Sequence, residues 1–275
     1  MENIYKKSEK KAGATPPPIG YELLGSTAII EHSGTILEQK EMGLKLIRSN
    51  NRIKTVLAKA GPVQGRFRIR KLRYLCGDRK WVVKYKENGC EFVFDPRRTF
   101  FSSKLSFERS RIINNSSNNE SVIVMFAGVG PFAIEIAKTH KGSHVVAIEE
   151  NPYAYRRMKD NIRLNKLKNV EALEGDVAKK WKLYKDRFDR VIMPLPWSSI
   201  DFLDAAFNVS KRKSIIHIYI FGDASSIVAD SWKRIKEHAH SCNFKVKLLF
   251  NRTVRTYSAK EIEVVLDIEL KKPGK

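Results

Sequence analysis

The sequence predicts an α/β protein: a doubly wound, Rossmann-like domain with a parallel sheet and a final antiparallel strand, preceded by a small basic α+β domain. Three observations support this fold class. Short apolar runs alternate with helical segments from Ser121 onward, which is typical of parallel strands joined by crossover helices. The last two apolar runs follow each other without a helix, so the final strand enters antiparallel. From Lys45 to Lys86 there are fourteen Lys or Arg and a single acidic residue, Asp78.

The elements of the larger domain follow in order. SVIVMF is a buried strand that leads through AGVGPF into a helix, HVVAIEE is a second strand, and PYAYRRMKDNIRLNKL is the next helix. VEALEGD and FDRVIMPLP are the third and fourth strands. SIDFLDAAFNV is then a helix, SIIHIYIF a strand and SIVADSWKRIKEHAHSC a helix. FKVKLLFNRTV and EIEVVLDIEL form the closing hairpin. We therefore assign residues 101–275 to this domain.

The stretch before it is the small domain, residues 21–100. KEMGLKLIRSNNRIKTVLAK is mostly helical by pattern, whereas GRFRIRKLRYL alternates basic and apolar residues as a strand does. That alternation predicts that Arg66, Arg68, Arg70 and Arg73 share one strand face. KENG is a hairpin turn, because Asn-Gly accepts positive φ, and CEFVFD is the returning strand. Residues 1–20, rich in Lys and ending in three prolines, are predicted to be a mobile tail.

Composition narrows the functional class. With 52 Lys and Arg against 30 Asp and Glu, the formal net charge is +22, which is typical of proteins that bind nucleic acid. A basic protein could instead bind a membrane surface, but no amphipathic anchor and no long apolar run is found. Three scattered cysteines without a CxxC predict neither disulfides nor a metal site. We expect a cytoplasmic, globular protein.

Three consecutive strand ends predict an adenosine pocket. AGVGPF follows the first strand and lets the backbone approach a ligand at Gly128 and Gly130. Glu149 ends the second strand, where it could accept both ribose hydroxyls, and Asp176 ends the third, near an adenine amino group. The alternative is that both acids only cap helices. Without a pyrophosphate cradle, S-adenosylmethionine (SAM) fits better than NAD. The predicted SAM-binding residues here are Phe126, Gly128, Gly130, Pro131, Phe132, Glu149, Glu150, Gly175, Asp176, Val177 and Pro194.

The segments VMFAGVGPFAI, AIEENPYAYRRMKDNIRLNKL, VIMPLP and RTVRTYSAKEIEVVLDIEL together resemble the archaeal and eukaryotic tRNA (guanine-37-N1)-methyltransferases. These are class I SAM-dependent enzymes that also enter wyosine biosynthesis. GRFRIR, KENGCEFVFD and FFSSKLSFERSRI extend the resemblance into the small domain, so that it spans about Tyr21 to Leu270. It implies a tRNA partner, read at position 37 of the anticodon loop, a monomeric enzyme and no metal.

The resemblance also implies roles for single residues. Glu108 corresponds to a glutamate proposed as general base, Arg109 to a SAM contact, and Arg68 to an arginine that holds guanine O6. The N1 proton of guanine must leave before a methyl group arrives, and the released electrons collect on O6, so a carboxylate and a guanidinium suit this chemistry. Phe100 stands where the family has a tyrosine near the target base. Arg66, Arg70, Arg73, Phe100 and Pro194 are the predicted tRNA contacts. The alternative is that these residues have no catalytic role. Glu108 and Arg109 would then be exposed helix residues, and Arg68 would be one phosphate contact among several.

Departures from the family leave alternatives open. Val124 replaces a common acidic residue, and Pro194 replaces the asparagine of the usual Asn-Leu-Pro. Pro194 suggests the archaeal subgroup that also methylates 4-demethylwyosine, because losing an amide leaves room for a larger base. The amino-terminal domain of longer members is expected to be absent. The chain could also be the sister enzyme of the wyosine pathway, which transfers the aminocarboxypropyl group of SAM, or a catalytically inactive tRNA-binding subunit.

Overall fold

The computed structural model describes residues 20–31 and 34–273, so the predicted tail lies outside the described residues except for Gly20. The chain forms two compact units. Of the described residues, the smaller unit takes those up to Gly61 together with Lys71–Lys80, and the larger unit takes Pro62–Arg70 together with those from Trp81 onward.

The smaller unit is built on one helix and a four-stranded sheet with strand order β1-β2-β3-β4. The Thr35 hydroxyl caps the helix by accepting a hydrogen bond from the Glu38 amide, and the Glu38 carboxylate accepts one from the Thr35 amide. Its core contains Ala28, Ile30 and Leu46 among others. The elements are β1 (Tyr21–Leu24), β2 (Thr27–Ile30), α1 (Ile36–Ser49), β3 (Thr55–Gln64) and β4 (Ile69–Gly77).

Two sequence predictions in this region were wrong. The segment read as mostly helical ends its helix at Ser49, and the β-branched residues from Thr55 onward continue as strand β3. Arg66, Arg68, Arg70 and Arg73 do not share one strand face, because residues 65–68 form the turn between β3 and β4. Arg70 and Arg73 do lie on β4, but they are three residues apart and so point to opposite sides of it. Gly65 and Arg68 both have positive φ there, at 68° and 54°, a conformation that reverses the chain. The tip of this hairpin, Pro62–Arg70, belongs to the larger unit.

The larger unit contains a seven-stranded sheet in the order β12-β13-β11-β10-β7-β8-β9 and a separate β5-β6 hairpin. Its strands are β5 (Val83–Glu87), β6 (Cys90–Phe94), β7 (Ser121–Met125), β8 (His144–Glu149), β9 (Val170–Glu174), β10 (Phe188–Met193), β11 (Ser210–Asp223), β12 (Lys245–Thr256) and β13 (Glu261–Lys271). Its helices are α2 (Ser106–Asn114), α3 (Pro131–Thr139), α4 (Pro152–Leu164), α5 (Val177–Lys180), α6 (Leu203–Val209) and α7 (Ile227–Ser241).

The predicted fold class is confirmed. Strands β7 to β11 run parallel, and β13 enters antiparallel between β11 and β12. The sheet buries residues such as Ile123, Val146 and Val191 on its core side. Because parallel strands end at the same edge, the loops after β7, β8, β9 and β10 meet there. No helix within residues 20–31 and 34–273 is long and apolar enough to cross a membrane.

The β5-β6 hairpin also belongs to the larger unit. The KENG turn forms as predicted, with Asn88 and Gly89 at positive φ. On β6, the Val93 amide donates to the Asn161 side chain at 2.8 Å, and the Glu91 amide donates to Asn165 at 3.0 Å. These hydrogen bonds tie the hairpin to α4 and to Asn165, which follows α4. The boundary between the two units therefore falls after Lys80 and not near residue 100, as the sequence predicted.

Candidate active site

A cavity of about 910 Å³ opens at the carboxyl ends of the parallel strands, under the tip of the β3-β4 hairpin. It brings together eleven of the residues that the sequence singled out, although they come from six separate segments. These are Arg66, Arg68, Arg70, Phe100, Phe126, Gly128, Glu149, Glu150, Asp176, Val177 and Pro194. A cavity of this size, walled by aromatic rings with a few converging charges, is typical of a site for a nucleotide-sized ligand.

The loop after β7 turns sharply into α3. Phe126, Gly128 and Gly130 all have positive φ, at 58°, 60° and 90°. A Cβ on Gly130 would lie 2.9 Å from Met158, so the loop can pack against α4 only with glycine there. Phe126 adopts this conformation although it carries a side chain, and such strain is common beside binding sites.

Glu149 ties this loop to the next one. Its Oε2 accepts from the Gly128 amide at 2.6 Å, and its Oε1 accepts from the Asn151 amide at 2.7 Å. Burial raises the pKa of the Glu149 carboxyl above its ordinary value, although the two amides oppose this. Glu149 therefore both shapes the loops and lines the cavity.

Asp176 and Glu150 form an acidic wall that Arg66 covers. Asp176 caps α5 by accepting from the Ala178 amide at 2.9 Å, as the helix-cap interpretation requires, and it also lines the cavity. The Arg66 guanidinium lies 2.8 Å from Asp176 Oδ2 and 2.5 Å from Glu150 Oε1. Hydrogen bonds from Arg66 to Glu150 raise the pKa of Arg66 further, so it stays charged.

The opposite wall is basic and aromatic. The guanidinium carbon of Arg68 lies 5.2 Å from the centre of the Phe100 ring and 5.8 Å from that of Trp197. Burial lowers the pKa of Arg68 below its ordinary value, while Tyr257 and Glu263 oppose this. One end of the cavity thus suits hydroxyl and amino groups, and the other suits a flat ring that carries negative charge.

Three further residues beside the cavity were not predicted from the sequence: Tyr257, Arg255 and Glu263. Tyr257 lines the cavity and donates to Glu263 Oε2 at 3.0 Å, while Arg255 donates to the Tyr257 hydroxyl at 3.3 Å. Burial raises the pKa of Glu263. The segment EIEVVLDIEL carried a partial signal, because period two places Glu263 and Asp267 on one side of the strand together with Glu261, Val265 and Glu269. The pattern predicts an acidic side, but it does not show that Glu263 and Asp267 are buried.

Glu108 is not exposed on α2, as the alternative assumed, but 98% buried, and it does not line the cavity. Its Oε2 accepts from Arg111 at 3.0 Å and from the Tyr219 hydroxyl at 3.2 Å. Its Oε1 is buried, lies 3.4 Å from Arg252 and accepts no hydrogen bond from the described residues. A buried carboxylate oxygen that accepts no hydrogen bond is costly, even beside a cation, unless it serves a ligand or a proton.

A chain of charged groups continues from Arg111 into the sheet. Arg111 binds Asp267 at 2.5 Å, and His217 donates from Nδ1 to Asp267 at 2.6 Å. Although burial opposes it, His217 and Arg111 hold the pKa of Asp267 at about 2. Burial lowers the pKa of His217, so its neutral ring can accept from Arg190 at 2.6 Å. This network fixes Arg111 against Glu108.

Arg109 lies elsewhere than predicted. It is fully buried, pairs with Glu87 and with Glu135 at 3.3 Å, and donates to the Ser102 carbonyl at 3.1 Å. Burial and the neighbouring Glu87 raise the pKa of Glu135 to about 9. The guanidinium is thus committed to two buried carboxyls and is not part of the cavity wall.

Five further predicted residues also lie off the cavity wall. Gly130 and Pro131 begin α3, Phe132 packs 6.0 Å from the Tyr219 ring, and Gly175 precedes the cap of α5. Arg73 lies on β4 in the smaller unit. The first four can therefore act on the pocket only by fixing the backbone around it.

Comparison with known proteins agrees with this geometry. Residues 83–248 match the model described as the TRM5/TYW2 methyltransferase domain, and residues 6–80 match the TYW2 N-terminal domain. The tRNA (guanine(37)-N(1))-methyltransferase Trm5b of Pyrococcus abyssi is 32% identical over 254 residues, covering 92% of this chain and 75% of the relative. The tRNA(Phe) (4-demethylwyosine(37)-C(7)) aminocarboxypropyltransferase of Methanocaldococcus jannaschii is 31% identical, covering 92% and 99%.

Solved structures give the same result. The crystal structure of Trm5b from Pyrococcus abyssi has a TM-score of 0.84 and 29% identity, covering 98% of this chain and 82% of that one. A complex of aTrm5 and tRNALeu has a TM-score of 0.80 and 30% identity, covering 91% and 71%. Methanocaldococcus jannaschii TYW2 in complex with AdoMet has a TM-score of 0.74 and 28% identity, covering 92% and 100%. The chain belongs to the TRM5/TYW2 methyltransferase family.

Proposed function

We propose that this protein is a SAM-dependent tRNA methyltransferase that methylates N1 of guanosine-37 in the anticodon loop, and also C7 of 4-demethylwyosine at that position. One observation carries the proposal: a single cavity joins an acidic wall, Glu149, Glu150 and Asp176, to an aromatic wall that contains Arg68. The acidic wall suits the adenosine of SAM, and the aromatic wall suits a purine. Donor and acceptor would therefore meet in one enclosed space.

The residues at the cavity fit SAM in two ways. The glycine loop brings the Gly128 backbone to the cavity, where it meets Glu149. Glu149 ends β8 and Asp176 follows the neighbouring parallel strand β9, so both acids lie at the edge of the sheet where ligands of this fold bind. Bound SAM would supply the electrophilic methyl group. The protein would supply Arg68, to stabilise the charge that collects on the base oxygen.

We further propose Glu108 as the general base for guanine N1. Because its carboxylate is buried and does not line the cavity, this role requires N1 and Glu108 to come within hydrogen-bond distance when the substrate binds. Its Oε1 accepts no hydrogen bond within the described part of the chain, and a proton from the substrate would satisfy it. Arg111 and Tyr219 hold the other oxygen and so orient the carboxylate. Arg109 would be a positioning residue, because it is buried beside Glu108 in α2 and ties that helix to Glu87 and Glu135.

A second candidate is transfer of the aminocarboxypropyl group of SAM to the wyosine precursor. The match of residues 6–80 to the TYW2 N-terminal domain favours it, as does the aminocarboxypropyltransferase relative, which the alignment covers almost end to end. The two reactions use the same cavity and differ in which carbon of SAM faces the base. A test must therefore follow the transferred group.

The test uses unmodified tRNA and tRNA that carries 4-demethylwyosine, each incubated with SAM labelled either in the methyl or in the carboxyl group. Methyl label on guanosine-37, found after nuclease digestion, supports the proposal, and methyl label on 4-demethylwyosine supports the second substrate. Carboxyl label in the tRNA supports the second candidate instead. tRNA binding without either label overturns both and identifies an inactive tRNA-binding subunit.

A further inference from the structure

Trp197 is an exposed aromatic side chain inside the cavity. It follows the Pro194-Leu195-Pro196 end of β10, lines the cavity and keeps 58% of its surface exposed. Exposure alone does not distinguish Trp197, but an exposed indole that lines a cavity offers a large flat apolar surface that a ligand can cover. Its position at the carboxyl edge of the sheet places it where ligands of this fold class bind.

The loop that carries Trp197 is fixed before any ligand arrives. The Phe221 amide donates to the Pro196 carbonyl at 2.9 Å. The Ser199 hydroxyl lies 2.9 Å from both the Met193 and the Leu195 carbonyls. The indole rests on the Phe221 ring, with 3.8 Å between ring centres. A rigid aromatic surface loses little conformational entropy when a flat ligand binds to it.

Phe100 is a second aromatic side chain that lines the same cavity. The Arg68 guanidinium lies over both rings, 5.2 Å from the centre of Phe100 and 5.8 Å from that of Trp197. Both rings therefore face a space that now holds a planar, charged group. A planar, polarisable ligand that moves Arg68 to its edge would gain stacking from both sides.

The chemistry around this space favours recognition by stacking. Pro194, Leu195 and Pro196 have no polar side-chain atoms, and the two prolines have no amide N–H. The polar side chains that line the cavity here include Arg68, which lies over both rings, and Ser198, which is next to Trp197 in the chain. Single-stranded bases are commonly held between aromatic side chains, with a few hydrogen bonds at their edges.

We propose that Trp197 is the stacking platform for the target base of tRNA, which enters between Trp197 and Phe100. This inference rests on the proposed function, because it assumes a tRNA base as acceptor. Trp197 would then also be a determinant of substrate specificity. A tricyclic base covers more of the indole than guanine does, so loss of Trp197 penalises 4-demethylwyosine more strongly.

The test compares Trp197→Ala and Trp197→Phe with a control, Leu183→Ala. Leu183 is an apolar residue that is 61% exposed and does not line the cavity. With SAM saturating, Trp197→Ala should lower kcat/KM for tRNA by roughly 10- to 100-fold, the usual effect of losing one stacked base. Trp197→Phe should lose less, and Leu183→Ala should resemble wild type. SAM affinity by calorimetry should be unchanged in all three.

Binding to tRNA that lacks the base at position 37 separates stacking from a structural role. Wild type and Trp197→Ala should bind this abasic tRNA equally well, because there is nothing to stack. Equal losses on intact and abasic tRNA would overturn the inference, as would an unchanged kcat/KM on intact tRNA. If wild type transfers no group to tRNA, the proposed function fails, but this binding comparison still tests the platform.

Discussion

Arg66, at the tip of the β3-β4 hairpin, lies 2.8 Å from Asp176, which is 110 residues later in the chain. Asp176 is the acid that the sequence assigned to adenine, and Glu150 pairs with the same guanidinium. In this arrangement a basic residue predicted to contact tRNA covers the acidic wall predicted to contact SAM. The two binding events should therefore influence each other through Arg66.

We expect Arg66→Ala to raise SAM affinity and to lower tRNA affinity. Removing the guanidinium frees two carboxylates for a cationic cofactor, and for an exposed pair the gain should be about two- to fivefold. Calorimetry with SAM and a filter-binding assay with tRNA measure the two effects. Arg73→Ala, on β4, should leave SAM affinity unchanged. A fall in SAM affinity for Arg66→Ala would instead make Arg66 a cofactor ligand.

The basic residues of the hairpin should govern the salt dependence of tRNA binding. We expect Arg66→Ala, Arg70→Ala and Arg73→Ala in one chain to weaken binding and to flatten the log–log plot of affinity against salt. Each arginine that neutralises a phosphate should account for roughly one unit of slope. Affinities measured from low to moderate salt give the slope. An unchanged slope would remove these residues from the tRNA interface.

Glu149 lines the cavity and is the residue that we expect to bind the ribose of SAM. Glu149→Gln keeps the shape of the side chain but loses the charge, and the amide can accept from one of its two backbone partners at most. We expect SAM to bind about 10- to 100-fold more weakly, because charge-assisted hydrogen bonds contribute roughly 1.5–3 kcal/mol. Calorimetry measures this, with the melting temperature as a check on folding. Normal SAM affinity would leave Glu149 a purely structural link between Gly128 and Asn151.

Two buried carboxyls near the reaction can be separated by pH profiles. Glu108→Gln should lower the single-turnover rate on guanosine-37 by roughly 10²- to 10⁴-fold and abolish the rise of rate with pH, while SAM affinity stays normal. Glu263→Gln still accepts from Tyr257, so it should keep the pH dependence. The opposite pattern would make Glu263 the base. Reduced SAM affinity with an unchanged profile in Glu108→Gln would limit Glu108 to a structural role in α2.

Glu135 should make stability depend on pH. Its pKa of about 9 in the folded chain exceeds that of an unfolded glutamate, so its proton stabilises the fold fully at low pH, and this contribution is lost as the pH rises through 9. Relative to Glu135→Gln, the wild-type free energy of unfolding should fall with rising pH, by at most about 1.4 kcal/mol per pH unit. Denaturant titrations between about pH 5 and 9 measure this. Glu261→Gln, at an exposed position, should parallel wild type; a constant difference for Glu135→Gln would contradict the assignment.

The sequence by itself determined which segments form the strands of the sheet. It also determined which candidate ligand-binding residues lie at the carboxyl ends of those strands. Alternating apolar runs and helices fix the parallel strands, and a helix-free last pair fixes the antiparallel β13, because these patterns are local. For the same reason Gly128, Glu149 and Asp176 could be placed at one edge. Each follows a strand whose direction the pattern had already set.

The tertiary structure decided which side chains share that edge. Period two suggested a strand through Arg66 and Arg68, but the chain reverses there, and so Arg66 reaches Asp176. Arg109 is next to Glu108 in sequence, yet on a helix adjacent residues point apart, and Arg109 meets Glu87 and Glu135 instead. The position of the Trp197 ring depends on its contact with the Phe221 ring, which lies in a separate segment of the chain. Such contacts depend on how the elements pack, and no local pattern of residues encodes them.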